Sequence, residues 1–157
     1  MNDGYTISTD VRRLDLDAIH AFLVGAYWSI EIPREVVARS IEGSLCFGVY
    51  PDSAQVGFAR VISDFATFAY LGDVYILEAH RGRGLGKELM KAIMSHPDLQ
   101  GLRCFQLATN DAHGLYASFG FKPLATPETQ MEISRRGMYT AWGASIRGLY
   151  SEGSGSS

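Results

Sequence analysis

Three glycines at alternate positions, Gly82, Gly84 and Gly86, separate a run of strand formers from a helical pattern. Before them stands Val74-Tyr75-Ile76-Leu77; after them Leu85, Leu89 and Ile93 recur every fourth residue, with Met90 and Met94 beside them. The apolar period thus changes from that of a strand to that of a helix across a single loop, which forces a sheet element and a helix to meet there. Glycines let backbone N–H groups approach a ligand with no Cβ in the way, and the first turn of a helix carries N–H groups without intrahelical acceptors. With the positive end of the helix dipole, that combination makes a cradle for an anion. Arg81, Arg83, Lys87 and Lys91 crowd the same stretch, opposed only by Glu88.

The positive charge is local. The whole chain of 157 residues has 14 Lys and Arg against 17 Asp and Glu, a net charge of −3, which argues against a phosphate-tracking nucleic-acid binder. The expected partner of the loop is therefore a small anion. The length suits one domain and a core that needs no disulfide or metal. Cys46 and Cys104 are far apart, with no Cys-x-x-Cys pair and no His at ligand spacing, so a reduced, cytoplasmic protein without a bound metal is expected. No apolar run approaches the ~20 residues of a membrane span, and Met1 to Asp10 lacks the order of a signal peptide.

Along the chain, Tyr5 to Ser8 predicts a short first strand. Asp15 is placed to cap a helix through Leu16, Ile19, His20, Phe22 and Leu23, whose spacing makes one apolar face; Pro33 opens a second through Val36, Val37 and Ile41, ending near Gly43. Leu45 to Tyr50 and Val56 to Ser63 read as a hairpin about Pro51-Asp52-Ser53-Ala54. Thr67 to Ala69 and Val74 to Leu77 form two further runs near Gly72. The amphipathic helix from Leu85 ends near His96, ahead of Pro97. Leu102 to Thr109 suits a buried strand, Asp111 to Phe119 a short helix, and Phe121 to Leu124 and Gln130 to Ile133 closing strands. The sum is an α/β or α+β layered fold in one domain over 1–136. From Gly137 the pattern dissolves, and 137–157 reads as a tail whose final Ser151 to Ser157 has the composition of a flexible linker, native or appended.

Spacing narrows the choice of anion. The Walker A pattern fails because Glu88 follows Lys87 where Ser or Thr is required, and the Rossmann pattern fails because Lys87, or Leu89, stands where its third glycine belongs. The hexapeptide Arg81-Gly82-Arg83-Gly84-Leu85-Gly86 instead resembles the Arg/Gln-x-x-Gly-x-Gly/Ala loop of the GNAT superfamily of acetyl-CoA-dependent N-acetyltransferases. Asn110 to Phe121, with Tyr116 ahead of a Gly120-Phe121 turn, is similar to that family's later segment, in the family's order and at about its usual separation.

The resemblance implies a mixed, mostly antiparallel central sheet with helices on both faces, and acetyl-CoA as co-substrate. It implies that Arg81, Gly82, Arg83, Gly84, Leu85, Gly86 and Lys87 wrap the pyrophosphate, and that the backbone of Val74, Tyr75 and Ile76 pairs with the pantetheine arm. Transfer to an amine then needs a neutral amine, help for the oxyanion and a proton for the departing thiolate. Tyr116 is the proton donor by carry-over, and a phenol near pKa ~10 is well matched to a thiol near ~8.5. Asp73 stands where some members hold an acidic residue facing the amine, as base or as positioning group; its plainer reading is a turn residue after Gly72, and Glu78 is the reserve. Many members carry Asn seven positions before the Tyr, whereas this chain has Thr109 there, leaving Asn110 as the cofactor contact or as a helix cap with Asp111. His113 is either a helix-surface residue or a cofactor contact, and His80 reads as exposed loop.

For the acceptor, Tyr27, Trp28, Phe65, Phe68 and Tyr70 are the aromatics outside the cofactor half. Each is either core packing or pocket wall, and an aromatic wall with Asp73 suits a small cationic amine. A protein N-terminus or lysine is the alternative acceptor, and a non-catalytic acyl-CoA sensor the alternative function. The chain is expected to act as a monomer or homodimer, without nucleic-acid or membrane partners.

Overall fold

The computed structural model describes residues 4–140, which form two compact units. One joins the residues up to Asp15 with Gly43–Pro123; the other joins Leu16–Glu42 with the chain after Pro123.

The first unit is a five-stranded sheet in the order of the chain: β1 (Thr6–Ser8), β2 (Leu45–Tyr50), β3 (Gly57–Ser63), β4 (Phe68–Ile76) and β5 (Cys104–Leu107). β1 to β4 run antiparallel, β2 to β4 through short connections and β1 to β2 across residues 9–44, which hold two helices, and β5 joins β4 in parallel. A parallel neighbour needs a crossover, which is supplied by helix α3 (Leu85–Ser95). Alternation places Phe47, Val49, Ala59, Val61, Ala69 and Leu71 on one face, where they are buried in one cluster with Leu85, Leu89, Met90 and Ile93 of α3. The four-residue spacing in the sequence is thus the stripe that α3 lays on the sheet. The hairpin between β2 and β3 closes as predicted, with Asp52 Oδ1 accepting the Ala54 N–H at 2.8 Å. The fold is the mixed, mostly antiparallel α/β class expected.

Three readings of single elements change. The two runs Thr67–Ala69 and Val74–Leu77 are one strand: Gly72-Asp73, which resembles a turn in sequence, is an irregularity inside β4. Phe121–Leu124 and Gln130–Ile133 are not strands. Gln130–Ile133 follows a 3₁₀ turn at Pro127–Thr129, and Met131 and Ile133 are 97% and 86% exposed. The alternation is present there, but among the described residues no neighbouring strand supplies a ladder, and a strand without a ladder leaves its backbone to water. The helix predicted from Asp111 shortens to α4 (His113–Ala117).

In the second unit, α1 (Leu16–Leu23) and α2 (Arg34–Glu42) pack on each other, burying Ile19, Leu23 and Val37. Pro33 stands just ahead of α2, and its carbonyl accepts the N–H groups of Val36 and Val37. The link between the helices is held by Ser29 Oγ donating to the Leu23 carbonyl at 2.7 Å. Residues 137–140 end the described chain, so most of the predicted tail lies outside it.

Candidate active site

The glycine loop adopts the conformation its composition invites. Gly82 and Gly84 sit at φ +77° and +76°, in the left-handed region that strains any residue with a Cβ. Open space surrounds both, with no atom within 4 Å of a built Cβ. Gly84 is the N-cap of α3, so the orphan N–H groups of the first helical turn face this space. Arg81, Arg83 and Lys87 are exposed around it. Gly86 differs: its φ is ordinary, and a Cβ there would lie 3.7 Å from Leu115 Cδ2. It marks where the first turn of α3 meets α4. Upstream, His80 is not the loose loop residue expected, because its Nδ1 lies 2.8 Å from Tyr5 Oη, tying the 3₁₀ turn Glu78–His80 to the chain ahead of β1.

β4 leads into this loop along an open edge. Its pairing with β5 begins at Phe68 opposite Cys104 and ends at Leu71 opposite Leu107, whereas its pairing with β3 continues to Ile76. The Leu77 N–H bonds to the Val56 carbonyl on the β3 side, so by alternation the peptide groups of Ile76 and Val74 turn to the other edge. There the Ile76 carbonyl accepts from Arg81 Nε at 2.9 Å. Past Leu71, β5 no longer accompanies β4, and the edge to which the Val74 and Ile76 peptide groups turn runs on to the anion loop.

A bulge sets which side chains this edge shows. Phe58 opposes Tyr75 and Arg60 opposes Gly72, so two steps along β3 match three along β4, and the extra residue falls at Asp73, whose φ is +54°. In regular alternation Asp73 would share the core face with Leu71. The extra residue returns Val74 and Ile76 to the core side and leaves Asp73 on the opposite face. There its Oδ2 accepts from Arg60 Nε at 2.8 Å, and Arg60 Nη1 donates to Ser44 Oγ at 3.1 Å. The pair is largely buried, its side chains 18% and 12% exposed. Cys46 lies opposite Arg60 on β2, and burial pushes its thiol up to about 12, the Arg60 charge opposing and the Asp73 charge adding. Asp73 is therefore a bulge residue held by a guanidinium, and its partner Arg60 is a residue of this face that the sequence did not single out. Its only signal was a charge in the middle of the apolar run Phe58 to Ile62.

Tyr116 comes from α4, which begins after β5. It is buried in the core cluster, its ring edge-on to Phe121 at 6.2 Å, and its carbonyl accepts the N–H groups of Phe119 and Phe121. Gly120, at φ +96°, makes the turn. The start of α4 is held by Thr109, whose Oγ1 accepts from Ala112 N at 3.1 Å and Asp111 N at 3.4 Å. The expectation that Asn110 or Asp111 caps this helix is thus corrected: the hydroxyl ahead of them does so, and the N-cap position is Ala112. Asn110 and His113 are exposed.

The predicted acceptor aromatics come from both units. Phe65 and Phe68, 49% and 38% exposed, belong to the β3–β4 hairpin with Tyr70. That hairpin is built by Asp64, whose carboxylate accepts from Thr67 Oγ1 and from the N–H groups of Ala66, Thr67 and Phe68. These bonds, the Thr67 hydroxyl first, hold the Asp64 carboxyl far below the usual carboxylate range. Tyr27 and Trp28 lie in the second unit, edge-on to each other at 5.0 Å and both exposed. Among the described residues no cluster of His, Cys, Asp and Glu could hold a metal, and no helix is long and apolar enough to cross a membrane.

Residues 42–123, which span β2 to α4, match the family model of the acetyltransferase (GNAT) domain. A candidate acetyltransferase of Gibberella zeae is 32% identical over 142 residues, covering 75% of this chain and 79% of that protein. The crystal structure of a candidate GNAT-family acetyltransferase from Xanthomonas campestris pv. campestris is 55% identical, with a TM-score of 0.86, over 87% of this chain and 97% of that one. A predicted acetyltransferase from Clostridium acetobutylicum, crystallised with acetyl-CoA, shares the fold at 14% identity and a TM-score of 0.61, over 83% and 94% of the two chains. The sheet, the glycine loop and these relatives together make the chain a member of the GNAT acetyltransferase family, and an acyltransferase.

Proposed function

We propose that the protein transfers the acetyl group of acetyl-CoA to a primary amine of a small molecule, by direct attack within a ternary complex. The observation that carries this reading is the joining of the β4 edge beyond its β5 pairing, at Val74 and Ile76, to a loop whose two left-handed glycines open onto the N-terminus of α3. The residues fit acetyl-CoA. Arg81, Arg83 and Lys87 supply charge for a pyrophosphate, Gly82, Gly84, Leu85 and Gly86 supply backbone N–H groups, and the Val74 peptide group and the Ile76 N–H, on either side of Tyr75, match an amide-bearing arm, the Ile76 carbonyl being held by Arg81. Asn110, exposed ahead of α4, is the remaining contact assigned to the cofactor.

Bound acetyl-CoA supplies an activated acyl carbon for the amine nitrogen. Strand-like pairing on β4 fixes the depth to which the arm runs and leaves a backbone N–H near Ile76 to face the developing oxyanion. Tyr116, on the helix that contacts the first turn of α3, delivers the phenolic proton to the leaving sulfur. Asp73 already accepts from Arg60 through Oδ2, so it orients the acceptor amine while the amine proton passes to water or to Glu78. Phe65, Phe68, Tyr27 and Trp28 are the aromatics assigned to the acceptor.

The test is thiol release from acetyl-CoA across polyamines, amino acids, aminoglycosides and peptide N-termini. The reading predicts acceleration by at least one small amine. Cofactor binding with no amine accelerating release would support a sensor instead.

A further inference from the structure

Arg60 lies outside every motif that points to acetyl transfer, yet it organises the face on which Asp73 emerges. Its neighbours across the sheet are Cys46 on β2 and Gly72 on β4, a small side chain and none at all, which leaves room for the guanidinium to lie along the sheet. Two of its nitrogens are engaged in different directions: Nε binds Asp73 Oδ2 at 2.8 Å, and Nη1 binds Ser44 Oγ at 3.1 Å. This fixes a planar fork that a lysine ammonium could reproduce in charge only. Asp73 in turn occupies the extra position of the bulge, at φ +54°, one residue before the open edge. Asp and Asn tolerate that backbone region better than most residues, but a free Asp side chain there would swing among rotamers. The ion pair removes that freedom.

We infer that Arg60 is a positioning residue for the acceptor amine: it fixes the Asp73 carboxylate at the β4 bulge, and Asp73 meets the amine. The inference rests on the proposed acetyl transfer. In this proposal Arg60 acts on the amine through the Asp73 carboxylate that it binds. Partly buried ion pairs are often replaceable without loss of fold, so a pair that served stability alone would show its removal in melting temperature and leave the amine kinetics unchanged.

The experiment is a double-mutant cycle in kcat/KM for the best amine found by thiol release, using Arg60→Met, Asp73→Asn and both together, with Arg60→Lys as the conservative variant. Acetyl-CoA affinity and melting temperature are recorded for each. Wild-type thiol release with an amine tests the acetyl-transfer reading by itself; if it is absent, that reading falls and takes this inference with it. With an active wild type, the expected result is a loss of about tenfold or more in amine kcat/KM for either single variant. The double variant is expected to be no worse than the poorer single, Arg60→Lys intermediate, and acetyl-CoA affinity within about twofold of wild type. Losses that multiply, an Arg60→Met variant within about twofold of wild type on the amine, or an equal loss of acetyl-CoA affinity would overturn it. Should Arg60→Met not fold, Arg60→Lys and Asp73→Asn decide it, since equal amine kinetics in wild type and Asp73→Asn leave Arg60 nothing to act through.

Discussion

Thr109 Oγ1 accepts the backbone N–H of Ala112 at 3.1 Å, and through that bond a residue seven positions ahead of Tyr116 sets where the tyrosine's helix begins. Replacing Thr109 by Val keeps the shape and removes the acceptor, at a cost of about 1 kcal/mol. In a chain of this size that lowers the melting temperature by about 2–4 °C. Because α4 carries Tyr116, kcat is expected to fall more than acetyl-CoA affinity. Thr109→Ser, which keeps the hydroxyl, should behave as wild type in both calorimetry and kinetics.

The loop glycines separate into two kinds. Gly84→Ala forces a Cβ into the left-handed region at φ +76° and is expected to destabilise by about 1–2 kcal/mol while weakening acetyl-CoA binding. Gly86→Ala meets Leu115 at ordinary contact distance within a helix, so it should be neutral or stabilising by up to about 1 kcal/mol. Urea melts and calorimetric titration with CoA measure both; the same penalty for the two would contradict the assignment.

Cys46 should be silent to thiol reagents in the folded protein. Burial raises its thiol to about 12 from an ordinary 9.0, so the thiolate is scarce at any pH an assay uses. An aromatic disulfide reagent at pH 8 is expected to label at most Cys104, and both cysteines only in denaturant. The same shift fixes a pH dependence. A group whose folded value lies above its unfolded one adds stability that is complete below the unfolded value and is lost as pH rises through the folded value. Tyr75 and Tyr50, both raised first by burial, act in the same direction. Chemical stability should therefore fall as pH rises above about 9.

Arg81, Arg83 and Lys87 are exposed, so their attraction for a pyrophosphate is screened by salt. Arg83→Ala should raise the Kd for CoA several-fold at low ionic strength, and the difference from wild type should shrink toward 0.5 M salt, as titrations at two salt concentrations would show. Arg81→Ala should cost more, because Arg81 also holds the Ile76 carbonyl at the end of the open edge.

What the sequence made legible follows from the range of the interactions involved. The glycine loop, α3 and the β2–β3 hairpin are set by local periods and by residues a few positions apart, so they read directly. Asp73 was singled out by residue type and place, but its partner Arg60 is on another strand, and the bulge that brings them to one face exists only once β3 and β4 are in register. Gly72-Asp73 read as a turn for the same reason: a bulge and a turn use the same residue types, and only a neighbouring strand tells them apart. Gln130–Ile133 shows the converse, an alternating pattern with no ladder among the described residues. The role of Thr109 escaped because Asn110 and Asp111 are equally good caps by type, and the path of the chain out of β5 decided between them.

The account turns most on Tyr116. The direct measurement is single-turnover thiol release from saturating acetyl-CoA with the preferred amine, comparing wild type with Tyr116→Phe, which preserves the packing against Phe121. The account predicts a fall in rate of about 10²–10⁴-fold with acetyl-CoA affinity unchanged. A Tyr116→Phe protein that releases thiol within about twofold of the wild-type rate would contradict it.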